Sequence, residues 1–236
     1  LLGNGVDELE HTSGHTERAR AEGARVLSAR DDAQWQPAVV RVLAGCEGRV
    51  AVCESGDGGL LAALTAAGID AYGVEPRFAI ADAAIANGLE VRVDDVTGHL
   101  RAVAPGDLDA VVLRGCIERL PVGEALDLLD LAASRLGAGG ILVIASISPQ
   151  AWGRGLTSVE ADLAAGRPLH PATWADVLHA REFADVSTES FRSETSIARL
   201  PDSHPDAALL NDTIARISDA LFGPDAYVVV GRRAGS

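Results

Sequence analysis

Short aliphatic runs recur along this chain at intervals that few sheet architectures can accommodate. Val50-Ala-Val-Cys53, Ala71-Tyr-Gly-Val74, Ala110-Val-Val-Leu113 and Ile141-Leu-Val-Ile144 are apolar without alternation. That pattern predicts strands buried on both faces, here over 50–54, 69–75, 107–113 and 141–144, and a further strand is expected over 89–93. Helical segments separate them: 58–67 closed by Gly68, an Ala-rich stretch over 77–87 closed by Asn87-Gly88, and a short piece near 97–103. An amphipathic helix over 122–136 follows, with Leu126, Leu129, Ala133 and Leu136 on one face; Gly137-Ala-Gly-Gly140 then reads as a turn. Strands alternating with helices imply a parallel sheet covered on both faces, the α/β class.

The rhythm changes at both ends. Residues 34–45 carry apolar positions at helical spacing and are expected to pack on the first strand, while 1–30 read as a solvated helix or arm. Beyond 147 come an irregular insertion to 170, a helix over 171–181 and an alternating strand, Phe183–Phe191. A second excursion over 192–222 holds an amphipathic helix after a Ser203 cap. Asp225–Val230 then closes the chain as a strand, and the Gly223-Pro224 link before it is too short for a crossover helix, so that strand should run antiparallel. The expected organisation is a helical lead-in over 1–48 and a single domain over 49–236 with insertions near 147–170 and 192–222.

Ligands of such sheets sit beyond the carboxyl ends of the strands, where Glu54, Glu75, Asp95 and Arg114 all fall. Gly56 and Gly58 open the first helix and let the backbone approach a ligand closely, while an acid ending the second strand can accept hydrogen bonds from a ribose diol. The dinucleotide fingerprint requires a third glycine where Leu61 stands, and it has no place for Glu54. A carboxylate there suits a ligand positive near the glycines, such as S-adenosylmethionine with its ammonium and sulfonium groups. No Gly-Lys-Ser/Thr occurs, which argues against a P-loop.

A formal net charge of −14 argues against nucleic acid and anionic lipid as partners. No apolar run is long enough to span a membrane and no secretory signal is visible, so a cytoplasmic location is expected. Cys46, Cys53 and Cys116 lie far apart in apolar surroundings and read as buried free thiols. No spacing of acids and histidines demands a metal. Oligomeric state stays open, a homodimer among the alternatives.

The order Glu54-x-Gly56-x-Gly58, Glu75, Asp95-Val96, Asp109-Ala-Val-Val-Leu113, Ile117-Glu-Arg-Leu120 and Leu136-Gly-Ala-Gly-Gly-Ile-Leu-Val143 resembles the class I S-adenosylmethionine-dependent methyltransferases. The resemblance implies a Rossmann-like, doubly wound, seven-stranded and mostly parallel sheet with an antiparallel last strand. It also implies that Glu54, Gly56 and Gly58 cradle the methionine moiety, and that Glu75, followed by Pro76, takes the ribose hydroxyls. Asp95 and Val96 would meet the adenine, while Arg114 and Cys116 would line the pocket; Arg119 stands where many relatives have His. The run Asp162-Leu-Ala-Ala-Gly-Arg-Pro-Leu-His-Pro171 is similar to a branch associated with glycan and polysaccharide methylation. By that likeness Asp162 and His170 are the candidate catalytic residues, although Ala165 replaces the first histidine of the branch. His99 and His179 are expected to be structural and His204 superficial.

Three functions therefore stay in view. They are O-methylation of a sugar or sugar-derived molecule, methylation of another small-molecule acceptor such as a natural product, and a methyltransferase-like binding module without turnover.

Overall fold

The computed structural model describes residues 34–155, 164–192 and 197–235. The arm expected over 1–30 and Asp162 lie outside the described residues. Helix α1 occupies 34–43. The alternation that follows is β1 (Val50–Cys53), α2 (Gly59–Ala66), β2 (Ala71–Val74), α3 (Phe78–Ala86), β3 (Val91–Arg92) and α4 (Val96–Ala102). Next come β4 (Leu108–Arg114), a 3₁₀ turn (Ile117–Arg119), α5 (Val122–Arg135), β5 (Leu136–Ile147) and α6 (Pro149–Gly155). The chain ends with α7 (Pro171–His179), β6 (Phe183–Phe191), α8 (Ala207–Phe222) and β7 (Ala226–Arg233).

The strands form one seven-stranded sheet in the order β3-β2-β1-β4-β5-β7-β6. The pairs among β1 to β5 are parallel, and β7 runs antiparallel to both β5 and β6. The sheet therefore matches the α/β class and the antiparallel final strand that the short Gly223-Pro224 link requires.

Period-two geometry sends alternate residues of each apolar run to opposite faces. Val50, Val52, Ala110, Val112, Ile141 and Val143 meet Trp35, Val39 and Leu43 of α1 and Leu60, Leu61 and Leu64 of α2. On the other face Ala51, Cys53, Val111, Leu113, Leu142 and Ile144 meet Leu100 of α4, Leu128 and Leu129 of α5, and Trp174 and Leu178 of α7. With both faces covered, neither can be polar, which is why the runs do not alternate.

Three boundaries depart from the sequence-based expectation. Strand β3 has two residues where five were expected: Leu89 packs near Gly58 and Val93 stands exposed, so the edge strand pairs only at Gly73↔Val91 and Val74↔Arg92. Gly137–Gly140 is the start of β5 and not a turn. These glycines form a bulge in β5 between Leu136 and Ile141, opposite Leu108 and Ala110 of β4, and they let it lie close to that strand; a Cβ on Gly140 would stand 3.2 Å from the Asp109 carbonyl oxygen. Helix α8 starts at Ala207, with Asp206 and not Ser203 in the N-cap position and no side-chain cap bond, because Pro205 disfavours helical geometry at His204.

Candidate functional site

The carboxyl ends of β1, β2 and β4 converge on one loop, Glu54–Gly58. Ser55 N–H donates to the Val74 carbonyl (3.1 Å), which ties the loop to β2, and Gly58 N–H donates to the Ser55 carbonyl (3.2 Å). Gly56 and Gly58 have φ of 61° and 88°, in the left-handed region that glycine enters without penalty. Glu54 has φ of 52°, where a side chain is strained; such outliers gather at functional sites.

Each glycine has a further steric reason to be bare. A Cβ on Gly56 would lie 3.0 Å from Nη1 of Arg114, whose own Nη1–H donates to the Glu54 carbonyl at 2.9 Å. A Cβ on Gly58 would lie 2.7 Å from both the Ala84 Cβ and a Leu89 methyl, so this glycine also lets α2 approach α3.

Glu75 is fully buried at the end of β2. Its Oε2 accepts from Gly56 N–H (3.0 Å) and its Oε1 from Arg77 N–H (3.1 Å) and Arg77 Nε (2.7 Å). Glu54 is bonded by Arg119, and Arg77 approaches it at 3.7 Å. The two acids singled out from the sequence thus stand together, and the chain's own guanidinium groups satisfy them. Both arginines are partly exposed, so they can turn outward into water.

The remaining predicted residues fall around this centre. Pro76 is exposed beside Glu75. Asp95 is exposed and caps α4, its Oδ2 accepting from Gly98 N–H at 2.7 Å, and Val96 behind it is buried. Arg114 is buried at the end of β4, with its guanidinium 5.9 Å from the Trp35 ring centroid. Cys116 is buried, and burial raises its thiol pKa well above the usual range, which fits packing.

His170 caps α7, its Nδ1 accepting from Ala172 N–H at 3.2 Å. The segment leading to it lies near the site. Tyr227 donates to the Leu169 carbonyl (2.8 Å) and receives the Trp174 indole N–H (3.1 Å), and Gly166 lies directly against the backbone of Leu120. His99 makes a 3.0 Å contact with the Tyr72 hydroxyl, and His204 caps a turn at Asp206 N–H.

Three residues that sequence reasoning left without a role belong to this region. Arg77 follows Glu75 by two positions, a spacing that signals a strand-end pair. Arg119 and Glu118 sit on the 3₁₀ turn after β4. Oε2 of Glu118 is buried with no hydrogen-bond partner among the described residues. Burial pushes its carboxyl up to about 7, while its own backbone N–H, the Ser146 hydroxyl and Arg114 pull the other way. Ser146 faces Tyr227 across the β5–β7 ladder. No group of three or more histidine, cysteine or acidic side chains placed to hold a metal occurs among the described residues, and none of their helices is long and apolar enough to cross a membrane.

No protein-family model matches the chain, and no curated protein matches it in sequence. Solved structures do match in fold. A SAM-dependent methyltransferase from Archaeoglobus fulgidus superposes with a TM-score of 0.68 at 24% identity, over 84% of this chain and 94% of its own. The plantazolicin methyltransferase BamL, in complex with a triazolic desmethylPZN analog and SAH, gives 0.61 at 12% identity over 91% of each chain. The 1,6-didemethyltoxoflavin-N1-methyltransferase of Burkholderia thailandensis, with 1,6-didemethyltoxoflavin and S-adenosylhomocysteine bound, gives 0.59 at 13% identity over 99% of this chain and 92% of its own. At these identities the likeness is one of fold.

Proposed function

We propose that this protein is an S-adenosylmethionine-dependent methyltransferase of class I acting on a small-molecule acceptor. The observation that carries the reading is the pairing of Glu75 with the glycine loop. A fully buried carboxylate at the end of β2 bonds Gly56 N–H, and its other partner is a partly exposed arginine that a ligand can displace. The donor set of the cofactor suits these acceptors: ribose hydroxyls for Glu75, the adenine amino group for the outer oxygen of Asp95, and positive charge for Glu54. Phe78, which opens α3, and Val93, next after β3, are 63% and 44% exposed and offer apolar surface that a purine would cover. Gly58, Pro76 and Val96 shape the same rim, with Arg114 beneath the loop. The bound cofactor supplies a methyl group made electrophilic by its sulfonium; the chain binds it, orients the acceptor and accepts a proton.

For the acceptor, the finer reading is a sugar or glycan hydroxyl, supported by the likeness of the Arg167–Pro171 segment to a glycan-methylating branch. The neighbours in fold act on varied molecules, so this finer reading rests on that segment and on its course over Leu120. A second reading, a binding module without turnover, is favoured by one observation: Glu54 and Glu75 are already neutralised by Arg119 and Arg77. Calorimetry with S-adenosylmethionine tests the common premise; saturable binding is expected, and its absence at millimolar ligand sinks the methyltransferase reading. Release of S-adenosylhomocysteine with a panel of hydroxyl acceptors then separates an enzyme from a module.

A further inference from the structure

The carboxyl end of β4 carries an acid that the cofactor site does not use. Gly115 follows Arg114 with φ of 65° and no side chain, which leaves a niche above its Cα. Two groups bound that niche: Oε1 of Glu118 and Nη1 of Arg119, each 3.9 Å from where a Cβ would stand. Arg119 reaches from there to Glu54, so the niche adjoins the methionine end of the site. The other carboxyl oxygen of Glu118 is buried and without a partner among the described residues. The oxygen that borders the niche is therefore Oε1, while Oε2 is enclosed by the protein, so a donor placed in the niche meets the carboxyl through Oε1.

Resting on the cofactor reading above, we propose that Glu118 is the general base for methyl transfer and that the acceptor presents a hydroxyl in the niche above Gly115. The acceptor oxygen bonds to the methyl carbon as the methyl–sulfur bond breaks. That bond's electron pair stays on sulfur, and the hydroxyl proton passes to the Glu118 carboxylate. A sulfonium and a carboxylate thereby become a thioether and a carboxylic acid, and charge and protons balance.

The surroundings poise the group for this work. Burial raises its pKa to about 7, near the value at which a base is half available at neutral pH and still strong enough to take a proton. The charged and titratable groups that face it are few. Arg114 of β4 lowers the pKa, Cys116 and Tyr227 are themselves held protonated by burial, and Arg119 on the same turn is engaged by Glu54. The Ser146 hydroxyl is the neutral partner from β5. Displacement of Arg119 by the cofactor would open the niche at the moment the methyl donor arrives.

The test follows the Glu118 carboxyl itself by infrared difference spectroscopy across pH, on the full chain. Spectra are taken free, with S-adenosylmethionine and with S-adenosylhomocysteine. A protonated-carboxyl band titrating near neutral pH is expected, missing from Glu118→Gln. Its midpoint should be about one unit or more lower with the sulfonium than with the uncharged thioether, because only the former places a cation beside the acid. Equal midpoints with the two ligands, or a band that survives in Glu118→Gln, overturn the proposal. Failure of both nucleosides to bind overturns the cofactor reading first, and the base with it. With any hydroxyl acceptor that turns over, Glu118→Gln should bind S-adenosylmethionine as before yet lose about tenfold or more in kcat and the acid limb of its pH profile; an unchanged profile likewise overturns the assignment.

Discussion

Glu75 holds its carboxylate in the core by borrowing donors from Gly56 and Arg77, and that arrangement defines a competition. Glu75→Ala should leave Gly56 N–H buried and unpaired, at about 2 kcal/mol or roughly 4–8 °C in Tm. It should also weaken S-adenosylmethionine binding. Arg77→Leu separates the two roles. Without its guanidinium the free protein should lose stability, since a buried carboxylate loses its cation. Its affinity for the cofactor should nevertheless rise, because ribose hydroxyls no longer displace a bonded arginine. Calorimetry alongside thermal melts reads both quantities, and an affinity equal to or below that of the wild type would reject Glu75 as the ribose acid.

At the scale of elements, the loop between β1 and α2 must satisfy backbone conformation and helix packing together, and Gly58 shows both demands at one position. Gly58→Ala would adopt φ of 88° and drive its methyl to 2.7 Å from Ala84 and Leu89. Conformational strain and overpacking together should cost about 2–4 kcal/mol. Gly68→Ala has φ of 77° but nothing within 4 Å, so only the conformational part, about 1–2 kcal/mol, should remain. Urea denaturation of the two variants compares them directly, and equal losses would show that Gly58 serves no packing role. The same locality explains what could be read in advance. Runs such as Ala110–Leu113 announce buried strands because both faces must be apolar, and acids at their ends announce themselves by position. Arg119 on Glu54 joins residues 65 apart through a long side chain, and no periodicity encodes such a reach. The start of β5 misread as a turn has a related cause: glycines that permit tight packing of a bulged strand look, in sequence, like glycines that permit a turn.

For the whole molecule, charge and burial together set the response to pH. With a net charge of −14, protonation relieves self-repulsion as pH falls towards the pI of about 4.7. His99 acts in the opposite sense. Burial lowers its folded-state pKa below 6.5, so the unfolded chain binds its proton more readily and stability is lost on acidification through that range. Glu118 adds a third contribution with its own window. Its folded-state pKa of about 7 lies above the ordinary 4.5, so the folded protein holds the proton more tightly. Its stabilisation is fully present below pH 4.5 and is lost as pH rises through 7. A glutamine at 118 mimics the protonated acid at every pH, leaving the general charge and His99 contributions in place. The stability of Glu118→Gln relative to wild type should therefore rise between pH 4.5 and 7 and level off above, by at most about 3 kcal/mol. Urea midpoints measured as wild-type and variant pairs across that range isolate the difference. A difference flat with pH would mean that Glu118 titrates like an exposed acid and could not serve as a base poised near neutrality.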